Sequence, residues 1–215
     1  MKNVKNRMVI TSVIILFPML IGILCWNMLP DTMVTHFGAN NEPNGWSSKF
    51  FAVIGLPLFL LLLHLFTVVI TLNDPKKRNI GQHLFSFIFW IIPVISLVAN
   101  GSILAYSLGF PVNIALLSNA LIGILFLILG NYLSKNKQNY TVGIRLPWTL
   151  SSESNWEKTH RLASKIWVVA GLLMIVNAFL QLSWLLFVII ILAAFIPALY
   201  SFILYKKQVL VHQSQ

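Results

Sequence analysis

The chain has 215 residues, of which 58% are hydrophobic and 9% charged. A soluble domain carries about 25% charged residues, so there is too little charge here to cover a water-facing surface, and the chain must be solvated by lipid. Fifteen Lys and Arg against five Asp and Glu give a formal +10. Such a balance can signal nucleic acid, but its meaning depends on where the charges sit. The single cysteine, Cys25, excludes an intramolecular disulfide and a cysteine-cluster metal site.

Apolar stretches of about 20 residues, long enough to cross a bilayer, occur six times in chain order. They lie near Met8–Met28, Phe51–Leu72, Leu84–Tyr106, Val112–Leu133, Ile166–Leu182 and Trp184–Tyr205. The last two are separated by a residue or two around Ser183 and are expected to form a tight helical hairpin. The first is preceded by Lys2, Lys5 and Arg7, but it is too long for a signal-peptide core and lacks an A-x-A cleavage site. It is read as a retained helix, with Cys25 as a lipid-facing or packed thiol.

Charge sets the expected orientation. The amino-terminal segment, the connection after the second span (Lys76, Lys77, Arg78), the connection after the fourth (Lys135, Lys137, Arg145, Lys158, Arg161, Lys165) and the tail (Lys206, Lys207) hold fourteen of the fifteen basic residues. Only Lys49 lies on the opposite side. Basic residues concentrate in cytoplasmic loops, so both termini are expected in the cytoplasm. The +10 then reads as an orientation signal, with no direct nucleic-acid partner. The fold class expected is an all-α integral membrane protein with six transmembrane helices.

Two loops are longer than a connection needs, and loops beyond about 12–15 residues are commonly functional or disordered. The first external loop, Leu29–Phe50, reads LPDTMVTHFGANNEPNGWSSKF. Pro30 ends the first helix. Asp31 is expected to cap a short turn that brings Met33, Val34 and Phe37 together, and Gly38, Asn40, Asn41, Pro43, Asn44 and Gly45 are turn formers. His36, Glu42, Trp46 and Lys49 then make either a rigid recognition surface or the outside of a cap that only ties two helices together. His36 with Asp31 and Glu42 is weak as a metal set, so no metal or other cofactor is assigned.

The long cytoplasmic loop, Ser134–Lys165, contains NYTVGIRLPWTLSSESNWEKTHRLASK. Tyr140–Leu146 alternates and is expected to be extended, and Pro147 keeps it so. Ser154 and Glu157 form an S-x-x-E capping box that starts a helix near Asn155. From there Trp156, His160, Ala163 and Trp167 share one face, with Lys158, Arg161 and Lys165 opposite. This amphipathic stub is expected to lie along the inner membrane surface, where Trp and basic residues anchor to anionic lipid.

Polar residues within the spans are His64, Asn100, Asn113, Asn119, Asn177 and Gln181, with no charged residue in any span core. Proton-coupled transporters and ion pumps normally keep intramembrane carboxylates. His64, Asn119 and Asn177 are read first as partners in interhelical hydrogen bonds, with a relay or ligand role for His64 as the other reading. No G-x-S-x-G, H-E-x-x-H, Walker or dinucleotide motif is present, and nothing points to an enzyme.

The external loop, with Leu29-Pro30, Asp31, His36, Gly45-Trp46 and Lys49, resembles the amino-terminal module of the SdpI family. The cytoplasmic loop resembles that family's motif through Gly143-Ile144-Arg145, Pro147-Trp148-Thr149-Leu150, Trp156 and Thr159-His160-Arg161. The resemblance covers most of the chain. It implies two modules, residues 1–75 with the external loop (DUF1648 type) and residues 76–215 with the cytoplasmic motif. It also implies a bacterial plasma-membrane immunity protein that protects against a secreted antimicrobial killing peptide and holds a winged-helix autorepressor at the membrane. On that basis the external loop faces the toxin, and the cytoplasmic motif faces the regulator or organises the core. A small transporter or lipid-handling membrane protein is the other reading, disfavoured by the lack of intramembrane charge.

Overall fold

The computed structural model describes residues 2–38 and 41–213. Among the described residues, six helices are long and apolar enough to cross a membrane. They are α1 (Lys2–Leu24), α2 (Leu56–Asn73, entered through a π-helical turn at Phe51–Gly55), α3 (Gln82–Ser107), α4 (Ile114–Leu133), α6 (Glu153–Leu180) and α7 (Ser183–Gln213). A five-residue helix, α5 (Pro147–Ser151), precedes α6. Strands β1 (Thr32–Phe37) and β2 (Pro43–Ser48) form an antiparallel hairpin between α1 and α2. Large apolar side chains such as Phe17, Leu62, Phe66, Phe187 and Phe195 remain exposed along the long helices. In water such faces would aggregate; in lipid they are solvated.

The chain divides into two compact units. The first comprises Met1–Val69, Ser86–Leu121 and Ala178–Ser183, and the second Ile70–Phe85, Ile122–Asn177 and Trp184–Gln215. Within the first, Leu29, Met33, Ala52, Val53, Ile103 and Leu104 form a buried cluster against which Cys25 and Trp26 pack. Gly22 permits the approach, since a Cβ there would sit 2.6 Å from Val53 Cγ1. Polar groups add interhelical ties. The Thr11 hydroxyl donates to Arg7 O (2.8 Å), leaving its oxygen to accept from His64 Nε2–H at 2.9 Å. Ser96 of α3 donates to Ile15 O of α1 (3.0 Å), whereas Asn100 bonds to Ser96 within its own helix.

In the second unit α4 and α6 meet through small residues. A Cβ on Gly123 would lie 2.8 Å from Gly171 O, and one on Gly171 2.6 Å from Gly123 O. Without a hydrophobic drive between helices in lipid, close backbone packing of this kind is the main source of association. Helices α6 and α7 pack through Ala170, Met174, Ile189 and Ala193, and Trp167 Nε1–H donates to Ala193 O at 3.0 Å. Gln181, with φ +54°, makes the turn between them.

Three local expectations are corrected. Thr32–Phe37 is a strand, not a turn capped by Asp31; β-branched Thr32, Val34 and Thr35 favour pairing with β2. Residues 140–143 form bends, and no strand forms over Tyr140–Leu146. Leu146, at φ −103° and ψ 153°, is extended before Pro147, and that proline opens α5 instead of prolonging an extended segment. The capping box at Ser154 is displaced by Ser152, which accepts from Asn155 N–H through its hydroxyl (3.2 Å) and from Trp156 N–H through its carbonyl (2.9 Å). Helix α6 therefore runs unbroken from Glu153 to Leu180, and the stub is its first turns.

Candidate functional site

The hairpin is built at the level of side chains. Met33 is fully buried and anchors β1, and Phe37 meets Tyr106 edge-on at 5.0 Å. Val34 pairs with Trp46 and His36 with Gly45, with a register irregularity on either side of His36. Gly45 is required by that pairing, because a Cβ would lie 2.8 Å from His36 Cβ. His36 Nδ1–H donates to Asn44 Oδ1. At the tip Asn41, with φ +61°, turns its side-chain oxygen onto the N–H groups of Ile114 (2.8 Å) and Ala115 (3.2 Å). It thereby caps α4 from a distant loop, satisfying donors that a helix start leaves open. Asn40, another expected turn former, lies outside the described residues.

At the hairpin's base Lys49 Nζ lies 3.1 Å from Asp31, donates to Trp26 O at 3.3 Å and sits 5.4 Å above the Trp26 ring. Asp31 is otherwise exposed, so this pair contributes little stability. The hairpin presents Pro30, His36 and Trp46 outward, with Trp46 57% exposed. A rigid two-stranded element, anchored by Met33 and held at its tip by Asn41, thus displays an aromatic ring and an imidazole. Asp31 and His36 turn to different partners, and no cluster of three metal-ligating side chains forms among the described residues.

The second constellation gathers the α4–α6 segment onto α6. Trp156 and His160, each 1% exposed, stack at 3.9 Å. His160 Nδ1–H donates to Trp156 O (2.8 Å), and Nε2 accepts from Ile144 N–H at 2.9 Å. That pattern fixes the neutral Nδ1–H tautomer, since a second ring proton would confront the Ile144 donor. Both nitrogens are committed, so the imidazole acts as a clamp. Gly143, with φ +128°, lies against this ring pair. A Cβ would meet Trp156 Cη2 at 2.9 Å and collide with His160.

Thr149 is fully buried. Its hydroxyl donates to Ile144 O (2.7 Å) and accepts from Leu146 N–H (2.9 Å), closing the turn before α5. Trp148 Nε1–H donates to Ser201 Oγ at 2.8 Å, and its ring stacks near Tyr205 of α7. Thr159 donates to Asn155 Oδ1 (2.9 Å), and Asn155 Nδ2–H donates to Ser201 O (2.9 Å). Arg145 is exposed and donates to Tyr140 O at 2.6 Å, so it braces its own loop instead of reaching the Trp156–His160 face. Arg161 is exposed on the opposite side of α6, while His64, Asn119 and Asn177 are buried in their helices, apart from this constellation in sequence.

Several participants escaped the sequence reading. Asp74, just past α2, is a buried carboxylate that accepts from Lys76 N–H (2.7 Å), Tyr140 N–H (2.9 Å) and the Thr141 hydroxyl (2.6 Å). Gln138 Nε2–H groups cap the Thr149 and Leu150 carbonyls at 3.0 and 2.9 Å, and Asn79 Nδ2–H donates to Gln138 O at 2.7 Å. Asn136 receives Trp156 Nε1–H on its carbonyl (2.9 Å) and donates to Val142 O (3.0 Å). The only advance signal was the density of Asn and Gln in residues 136–139.

The sequence matches the SdpI/YfhL protein family over residues 135–201 and a domain of unknown function, DUF1648, over residues 13–61. It is also 30% identical over 205 residues to Immunity protein SdpI of Bacillus subtilis (strain 168), an alignment that covers 94% of this chain and 97% of that protein. No solved structure matches.

Proposed function

Because this chain belongs to the SdpI family of multi-pass bacterial membrane proteins, we propose that it is an immunity protein that protects its cell by binding a secreted antimicrobial peptide without turning it over. The observation that carries this reading is the end-to-end similarity to Immunity protein SdpI. The distribution of basic residues supports both termini, the Asp74 network and the α4–α6 segment on the cytoplasmic side, with the hairpin outside. In that orientation the hairpin is the peptide-facing element. The Trp148–Trp156–His160 constellation organises the inner face, where a winged-helix autorepressor is held once peptide is bound.

The test is survival of a peptide-sensitive bacterium that expresses the chain. Expression raises the lethal peptide dose, and Trp46→Ala lowers it again at equal membrane abundance. Killing at the same dose with and without the protein overturns the immunity reading. A tagged repressor that stays diffuse when peptide is added removes the receptor part alone.

A further inference from the structure

An apolar groove of about 280 Å³ runs between α6 and α7. Its floor is made by Ala170 and Ala193, both buried, and its walls by Val169, Leu173 and Leu192, all exposed toward the surrounding medium. Alanines at the facing positions hold the two backbones close but leave no side chain to fill the slot that the larger residues frame. Lys165 closes one end and is the only charged residue lining it.

The groove's length and polarity define an occupant. From Lys165 to Leu173 is about 12 Å along the helix axis at 1.5 Å per residue, which is close to half of the roughly 30 Å hydrocarbon core. The slot therefore has the depth of one leaflet, with a cation at the headgroup end and hydrocarbon below it. Lys158, Arg161 and Lys165 form a continuous stripe on α6, and Lys206 and Lys207 stand exposed near the end of α7. Glu153 and Glu157 lie at the start of α6, with Glu157 one turn from Arg161 and about two turns from Lys165. Lys165 is exposed and is not part of the Lys49–Asp31 ion pair, so its ammonium is available to an anion.

We infer that this groove binds one acyl chain of an anionic phospholipid, with its phosphate at Lys165. A stretched hydrocarbon chain fits a slot lined by Val, Leu and Ala, a bare phosphate does not, and a zwitterionic headgroup gains less from a lone cation. The proposal stands apart from the peptide-binding reading, since it concerns other residues.

Native mass spectrometry of the full chain, released from detergent after incubation with phosphatidylglycerol, phosphatidylcholine or glycerol 3-phosphate, reads occupancy directly. Phosphatidylglycerol is expected to be retained in preference to phosphatidylcholine, and glycerol 3-phosphate not at all. Lys165→Gln lowers phosphatidylglycerol affinity by about fivefold, the size expected of one surface cation facing an anionic lipid. Ala193→Leu fills the slot and abolishes retention, while Lys5→Gln leaves it unchanged. A chain that retains both lipids equally, or whose retention ignores Lys165→Gln and Ala193→Leu, overturns the proposal. So does a lipid-free dimer, which would assign the groove to a second copy of the chain.

Discussion

Gly143→Ala is expected to spring the α4–α6 segment from α6 while leaving the helices in place. Its φ of +128° lies where a side chain is strained, at about 1–3 kcal/mol. The added methyl group would also meet Trp156 and His160, and these cannot retreat because both are 1% exposed. Relief requires breaking the Ile144 N–H bond to His160, which loses about 0.5–1.5 kcal/mol. Together about 1.5–4.5 kcal/mol is removed from local closure, equal to roughly 10- to 1,600-fold in an opening constant at 1.4 kcal/mol per tenfold. Hydrogen exchange of peptides spanning residues 134–146, in detergent micelles, reads that constant. Gly109→Ala is the control, since Gly109 has φ +85° but nothing within 4 Å of a new Cβ. It carries strain without collision and should leave residues 134–146 untouched. Unchanged exchange in Gly143→Ala would refute the claim that the ring pair clamps this segment.

Three further outcomes are expected. Asp74→Asn replaces an acceptor of three hydrogen bonds with a group that turns an NH2 toward donors. Each bond to the ionised carboxylate is worth about 1.5–3 kcal/mol, so limited proteolysis should cut near Tyr140 well before the parent is cut. His160→Ala should expose the same segment, whereas Arg145→Lys should change proteolysis less, because the exposed guanidinium makes a single bond to Tyr140 O. Reporter fusions after Leu133 should read cytoplasmic and fusions at Asn44 external; a reversed pair of signals would contradict the orientation drawn from the basic residues.

The spans were legible because about 20 apolar residues in a row have few other fates: the runs read at Phe51–Leu72, Leu84–Tyr106 and Val112–Leu133 agree with the helical spans Phe51–Asn73, Gln82–Ser107 and Ile114–Leu133, while α1 starts before Met8 and α7 runs on past Tyr205 to Gln213. Helix α6 departs most. Its first turns are polar on one side, so hydropathy starts it at Ile166, while Ser152 and the buried Trp156 start it at Glu153. The hairpin was missed because Met33, Val34 and Phe37 also suit helical spacing, and only Met33 is buried. The shared face of Trp156, His160 and Ala163 was readable from periodicity. Its partner was not, since Ile144 meets His160 through backbone that no pattern announces. Asp74 was invisible for a similar reason: before Pro75 it reads as a helix end, and its ligands lie more than sixty residues away, at Tyr140 and Thr141.

On the proposed function, the hairpin side of this protein captures an antimicrobial peptide and leaves it chemically intact. Titration of the peptide into nanodiscs carrying the full chain, with the peptide then recovered and weighed, tests it most directly. Saturable binding above protein-free nanodiscs, weakened by Trp46→Ala and returning peptide of unchanged mass, is the predicted result. Binding no greater than to empty nanodiscs at lethal peptide concentrations, or recovery of specific fragments, would contradict it.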